Sequence, residues 1–134
     1  MSIIVTDEGF SPANDRSLTA LAEVDATTTE VDLENTDDPE ALRPYLSQLT
    51  LVRVAFPAFS DGRGFTLARR LRMAGYEGRL LALGPVIADQ YSMIRRVGFD
   101  GAEIPEEIAN RQPEDQWKFR GNWRDHHYQA RLRA

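Results

Sequence analysis

Two apolar runs with a helical stretch between them constrain this chain more than any other feature. Leu51-Val52-Arg53-Val54-Ala55-Phe56 stops at Pro57, and Leu80-Leu81-Ala82-Leu83 stops at Gly84-Pro85. Both runs are short, apolar and bounded by turn residues, which predicts strands. Between them, over residues 64–73, Phe65, Ala68 and Leu71 recur at helical spacing and leave Arg69, Arg70 and Arg72 mostly on the opposite face. Strand, helix and strand in that order join parallel neighbours through a crossover. The run 80–83 is apolar on consecutive positions, as expected of a strand covered by helices on both faces.

The flanking sequence extends this unit in both directions. Downstream, Gly84-Pro85 opens a second helix in which Ile87, Tyr91 and Ile94 form one stripe, widened by Val86, Met93 and Val97. Gly98 closes it, residues 99–104 give a last short strand, and residues 105–110 one or two helical turns. Upstream, residues 27–33 alternate around Thr29, Val31 and Leu33 as a strand. Asp38 then caps a helix with Pro39 at its first position, and Leu42, Tyr45, Leu46 and Leu49 share its inner face. Ser2-Ile3-Ile4-Val5 reads as a short edge strand, residues 6–17 as loop, and residues 18–24 as a weakly helical segment. The fold class predicted is α/β: a single domain over residues 1–110 with a mostly parallel sheet of about four to five strands and covering helices. Residues 111–134 form a basic, aromatic tail, with Trp117, Phe119, Trp123 and Tyr128 among arginines. Packing of those aromatics back on the domain is favoured over docking on a partner.

A chain of 134 residues holds one core. It has no cysteine, which excludes thiol catalysis, disulfides and thiolate-held metals or clusters, so redox chemistry would need a bound cofactor. No apolar run approaches the roughly 20 residues of a membrane span. The first residues also lack the basic-then-apolar order of a secretory signal, so a cytoplasmic location is expected. The net charge of −5 is unevenly spread. Residues 1–50 carry eleven acids against Arg16 and Arg43, a balance of −9, and residues 51–134 carry fourteen bases against ten acids, a balance of +4. Such halves commonly only keep a surface wet, but the positive half could also meet an anion or an acidic partner. Nucleic-acid binding is not expected of a chain with a pI near 5.0 and no basic stripe.

The loop Phe59-Ser60-Asp61-Gly62-Arg63-Gly64-Phe65 falls where a parallel strand hands over to a helix, a common place for ligands. Gly62 and Gly64 permit close backbone approach, and the helix amides behind them face outward at the positive end of the dipole. With Ser60, Arg63 and Thr66 nearby, the loop could hold phosphate, sulfate or a sulfite-like oxyanion. The competing reading is that Asp61 caps the helix and the glycines only make the turn. The third glycine of a dinucleotide fingerprint is missing, with Leu67 in its place, and there is no phosphate-loop lysine. Asp89 and Gln90, one turn into the next helix, are further ligand-binding candidates. Arg95 and Arg96 suit a helix C-terminus, and Asp100 suits a turn. His126-His127 is a poor metal pair because adjacent side chains diverge, and Ser60 lacks the setting of an acyl-transfer nucleophile.

The block 56–69, continued by Gly75-Tyr76, Gly78, Arg79-Leu80, Ala82-Leu83-Gly84, Asp89-Gln90 and residues 95–100, resembles a bacterial family of unknown function, DUF934. The resemblance spans residues 29–104. Members are commonly labelled as oxidoreductases involved in sulfite reduction, because their genes accompany those of sulfate assimilation. The resemblance implies shared residues at Asp61, Gly62, Arg63, Gly64, Asp89 and Gln90. Where members often have Lys, this chain has Ala58; where they have Asp and Arg, it has Pro85 and Ala88; where they have Cys, it has Val97. The implied function is an accessory protein that binds an oxyanion or a partner enzyme such as sulfite reductase, with self-association as a further option. The alternative is a small oxidoreductase with a bound cofactor.

Overall fold

The computed structural model describes residues 2–13, 17–58 and 62–121. They form a single α/β domain on one mixed, mostly parallel sheet of seven strands. These are β1 Ser2–Thr6, β2 Gly9–Pro12, β3 Thr19–Ala20, β4 Glu30–Leu33, β5 Leu51–Ala55, β6 Arg79–Leu83 and β7 Gly101–Pro105. Their spatial order is β2-β1-β7-β6-β5-β4-β3. From β3 to β7 each strand lies parallel to its predecessor, while β1 runs antiparallel to β7 and β2 antiparallel to β1.

The expected strand-helix-strand unit is present as β5, α1 Arg63–Met73 and β6. It continues through a 3₁₀ turn, Ala88–Gln90, and α2 Tyr91–Arg96 into β7. Two short helices, α3 Glu106–Arg111 and α4 Glu114–Gly121, follow. Asp38 caps its segment as expected, its side chain accepting the Glu40 amide at 3.0 Å. That segment, Pro39–Tyr45, is a 3₁₀ helix, and Pro44 within it removes a donor an α-helix would need.

Three expectations are corrected at the N-terminus. The first strand is interior, because β2 pairs on its outer side. Residues 6–17, read as loop, contain β2, whose Gly9 and Pro12 suit the edge position it occupies. Residues 18–24, read as weakly helical, hold β3 and a single 3₁₀ turn, Leu21–Glu23. The sheet therefore has seven strands instead of four or five.

The register splits the sheet into two unlike faces. Val31, Val52, Leu80 and, one pleat on, Leu33, Val54, Ala82, Ala102 and Val5 lie side by side. They form one apolar cluster with Leu42, with Leu67, Ala68 and Leu71 of α1, with Tyr91 and Ile94 of α2, and with Ala109 and Trp117 of α3 and α4. Leu81 points the other way and, although buried, stands outside that cluster; among the described residues the helices contribute their buried side chains to the first face alone. Leu81 has Arg53 beside it on β5 and Gly101 on β7. Arg53 is only 4% exposed. It grips both oxygens of Asp32 at 2.6 and 2.7 Å and reaches across β6 to Glu103 at 2.9 Å. Glu103 in turn accepts from the Ser2 hydroxyl at 2.9 Å. Burial opposes the charge on Arg53, but the hydrogen bonds and field of Asp32, then of Glu103, outweigh it and hold the guanidinium pKa above its ordinary value. A belt of charge thus links β4, β5, β7 and β1 across the face opposite the main apolar cluster.

Arg72, expected mostly on the solvent side, is instead a clamp at the far end of α1. It donates to the carbonyls of Gly98, Tyr76 and Gly78 at 2.8, 3.0 and 2.8 Å and to Asp100 at 3.1 Å. Asp100 also accepts the Leu80 amide at 2.9 Å. It is a turn-holding residue, as the sequence suggested. Arg95 is tied to the Asp7 carboxylate and the Phe99 carbonyl. Trp117 is wholly buried, edge-on to Tyr91 at 5.8 Å, and its indole N–H donates to the Gln112 carbonyl at 2.9 Å. Trp123, His126, His127 and Tyr128 lie outside the described residues. No helix among the described residues is long and apolar enough to cross a membrane, and no three of their His, Asp or Glu side chains cluster as metal ligands would.

Candidate functional site

At the carboxyl edge of the parallel strands, Ala55 and Leu83 are register partners, so the segments leaving β5 and β6 begin side by side. The Phe56 amide donates to the Leu83 carbonyl at 2.8 Å. Gly84 has φ +145°, and a Cβ there would fall 2.0 Å from the Phe56 carbonyl oxygen. Only glycine lets the two segments cross that closely. These roots bring residues 62–66 and 88–90 to the same edge of the sheet. Ser60 and Asp61 lie outside the described residues.

The two glycines of the loop do different work. Gly64 is buried against Phe56, whose ring atoms would stand 2.5, 2.6 and 3.0 Å from a Cβ. The ring is fixed edge-on between Phe65 and Phe99, at 5.2 and 5.8 Å. Gly64 is therefore a packing residue inside α1, a role that the turn-making reading of the glycines did not give it. Gly62 differs: it is exposed, its φ of −91° and ψ of −4° suit any residue, and a Cβ would meet nothing within 4 Å. Neither backbone conformation nor packing asks for a glycine there.

Arg63 is exposed at the first position of α1, whose first turn has no acidic side chain. A cation at the positive end of a helix dipole is disfavoured by about 0.3 to 1 kcal/mol. Departures of that kind from helix-end preference concentrate at functional positions. Thr66 is exposed one turn on and faces the groove between α1 and α2, away from the helix start.

Asp89 and Gln90 divide in the same way. The Gln90 side chain accepts the Ile87 amide at 3.0 Å while its own amide donates to the Ile87 carbonyl at 2.9 Å, which closes the 3₁₀ turn. That is a capping role. Asp89 is exposed at the same edge of the sheet. The preceding Ala88 amide donates to the Gln112 side chain at 2.6 Å, so this turn is braced from the C-terminal end of α3.

Sequence reasoning missed a second surface beside this edge. Met93, expected to widen the buried stripe of α2, is 45% exposed, and Met73 is 80% exposed. With Phe65, Thr66, Arg69, Arg70 and Val97 they line a groove of about 290 Å³ between α1 and α2. The signal was available in α1: Gly64, Leu67, Ala68 and Leu71 make the buried stripe, and Thr66, Arg69, Arg70 and Met73 make a second one nearly opposite, about 160° away.

No curated protein and no solved structure matches the chain. One family model matches residues 30–134, from the first residue of β4 to the end of the sequence. The parallel strands from β4 onward and the candidate edge fall within that match, while the β1–β2 hairpin and β3 precede it. By that match the chain belongs to the DUF934 family, bacterial proteins of unknown function.

Proposed function

We propose that this protein is an accessory binding protein of sulfite reduction, holding an oxyanion or an anionic group of a partner enzyme where α1 begins. Arg63 supplies the charge, and the exposed backbone at Gly62 with the first amides of α1 supplies directional donors. Asp61 would cap the helix or orient Arg63. The observation that carries the reading is Gly62, an exposed glycine with ordinary dihedral angles and open space where a Cβ would stand. A methyl group at that position has room, costs the fold at most the small N-cap preference for glycine, and would block approach to the amides. The sulfur chemistry comes from the labels commonly attached to family members, and sulfite and sulfate are accordingly the first ligands to test.

The test is thermal unfolding in rising sulfite or sulfate, against chloride at matched ionic strength. A ligand at a hundred times its dissociation constant stabilises by about 2.7 kcal/mol. Arg63→Ala should remove most of any protection, and Gly62→Val should do the same with little change in the basal melting temperature. If millimolar sulfite and sulfate do not protect the wild type, the free-oxyanion reading is wrong, and co-elution with sulfite reductase then decides the partner reading. A flavin absorbance band on the purified protein would replace both with the oxidoreductase reading.

A further inference from the structure

We infer that the groove between α1 and α2 is a docking site for an acidic amphipathic helix of a partner protein. The inference does not depend on the proposed anion edge, since it uses the outer faces of the two helices and neither Arg63 nor the first amides of α1.

The floor of the groove is apolar and adaptable. Met73 and Met93 stand exposed from facing helices, with Phe65 and Val97 beneath them. Met73 and Met93 are the large hydrophobic side chains that stand exposed among the described residues, and their flexible thioethers can remodel around a guest helix. Two neighbouring helices offer a third helix a ready groove, which an apolar stripe at i, i+3, i+4 and i+7 fills.

The rim selects the sign of the guest. Arg69 is exposed on the groove and makes no ion pair or hydrogen bond among the described residues. Arg96, one turn beyond Met93 on α2 and outside the groove lining, is likewise exposed and has no ion pair or hydrogen bond among the described residues. Arg70, also on the rim, contacts only the exposed acids Asp38 and Glu40, at 3.3 and 3.9 Å, a pairing that water screens and a guest can exchange. This positive rim argues against two other occupants. A symmetric second copy would set Arg69 and Arg96 against their own counterparts. The chain's own end, residues 122–134, carries Arg124, Arg131 and Arg133 against Asp125 alone, and would be repelled as well. An acidic helix satisfies both floor and rim.

The chain's three methionines supply the probe, because methyl labelling gives three signals, of which Met73 and Met93 report the groove and Met1 is the internal reference. The ligand is a synthetic peptide of roughly 16 residues with leucine at i, i+3, i+4 and i+7 on a glutamate background. It should shift Met73 and Met93 together, and saturably, and leave Met1 in place. Arg69→Glu should weaken binding about threefold to tenfold, and more so at low salt. Met73→Glu should abolish it; both positions are exposed, so an unchanged far-ultraviolet spectrum will confirm that the variants fold. The inference is overturned if the same peptide on a lysine background shifts the methyls equally, or if the glutamate peptide shifts neither at millimolar concentration. It is also overturned if the two signals move with protein concentration alone, which would identify a second copy as the occupant.

Discussion

Replacing each loop glycine by alanine separates structure from function at the candidate edge. At Gly64 the new Cβ would lie 2.5 and 2.6 Å from two ring atoms of Phe56, so the ring must retreat by about 1 Å to reach ordinary contact. It has nowhere to go: Phe65 and Phe99 abut it edge-on, and the Phe56 carbonyl lies against Gly84. Overpacking of that kind costs about 1 to 3 kcal/mol. Removing a glycine from a helix returns at most about 1 kcal/mol, and less in the first turn. Gly64→Ala should therefore destabilise by about 1 to 2 kcal/mol, a fall in Tm of about 3 to 6 °C for a domain of this size. Gly62→Ala, with open space and helical dihedrals but at the N-cap, where glycine is preferred over alanine, should cost no more than about 0.5 kcal/mol. Urea unfolding followed by circular dichroism measures both. A double-mutant cycle with Phe56→Leu adds a check, because a smaller side chain should relieve most of the Gly64→Ala cost. If Gly64→Ala is as stable as wild type, or if Gly62→Ala loses more than Gly64→Ala, the assignment of one glycine to packing and the other to binding is refuted.

Arg72→Met removes four hydrogen bonds that tie α1 to the turns before β6 and β7, and should lower stability by about 2 to 4 kcal/mol in urea unfolding. Arg69→Met, a change of the same chemistry on an exposed site, should stay within about 0.5 kcal/mol of wild type. Arg53→Ala leaves Asp32 and Glu103 without their cation and should cost about 3 to 5 kcal/mol, whereas Arg53→Met with Asp32→Asn and Glu103→Gln should recover much of that; equal losses would dismiss the charge belt as a stability element. Burial pushes the Tyr76 phenol up to about 12, with nearby Arg72 lowering it and Asp100 raising it by smaller amounts. A raised folded-state pKa means that the contribution is intact below the unfolded value near 10 and is lost as pH climbs to 12. Stability should therefore fall by about 2 kcal/mol across that window from this residue, and Tyr76→Phe should flatten the slope of a denaturation series by that amount.

The parallel half of the fold was legible because its signals are local. Two apolar runs and a helical stripe between them specify β5, α1 and β6 with little help from the rest of the chain, and Asp38-Pro39 announces its cap by residue type alone. The N-terminal hairpin was not legible. Gly9 and Pro12 look like loop residues until β7 offers β1 an antiparallel partner, and β3 is two residues whose pairing comes entirely from β4. Burial on the second sheet face was hidden for a related reason. Arg53 inside an apolar run looks like an interruption until register sets it beside Asp32 and, across β6, near Glu103. At the candidate site, sequence pointed to the edge where β5 hands over to α1 but could not tell its two glycines apart. Gly62 and Gly64 are identical as letters, and only the ring of Phe56 distinguishes them. Met93 was misplaced because a methionine beside an apolar stripe counts as core until the neighbouring helix is seen to stop short of covering it.

The strand order bears directly on what the anion edge can do. Crevices for small ligands in open parallel sheets form where the order of strands reverses, since consecutive crossovers then diverge to opposite faces. Here β3 to β7 are added one after another in a single direction, and the apolar side chains of the helices between them all join one cluster on one face. No reversal lies between β5 and β6, so the loops that follow them stand side by side on a rim. A small anion on such a rim keeps much of its water, and its contacts with Arg63 and the helix amides are weakened by the high dielectric. A partner that brings the anionic group together with surface to cover the rim removes that water and strengthens the same contacts. Within the proposed function, topology therefore favours an anionic group carried by a protein over a free oxyanion. Enclosure is also what an enzyme needs to hold a small substrate for chemistry, and this rim would acquire it from the partner.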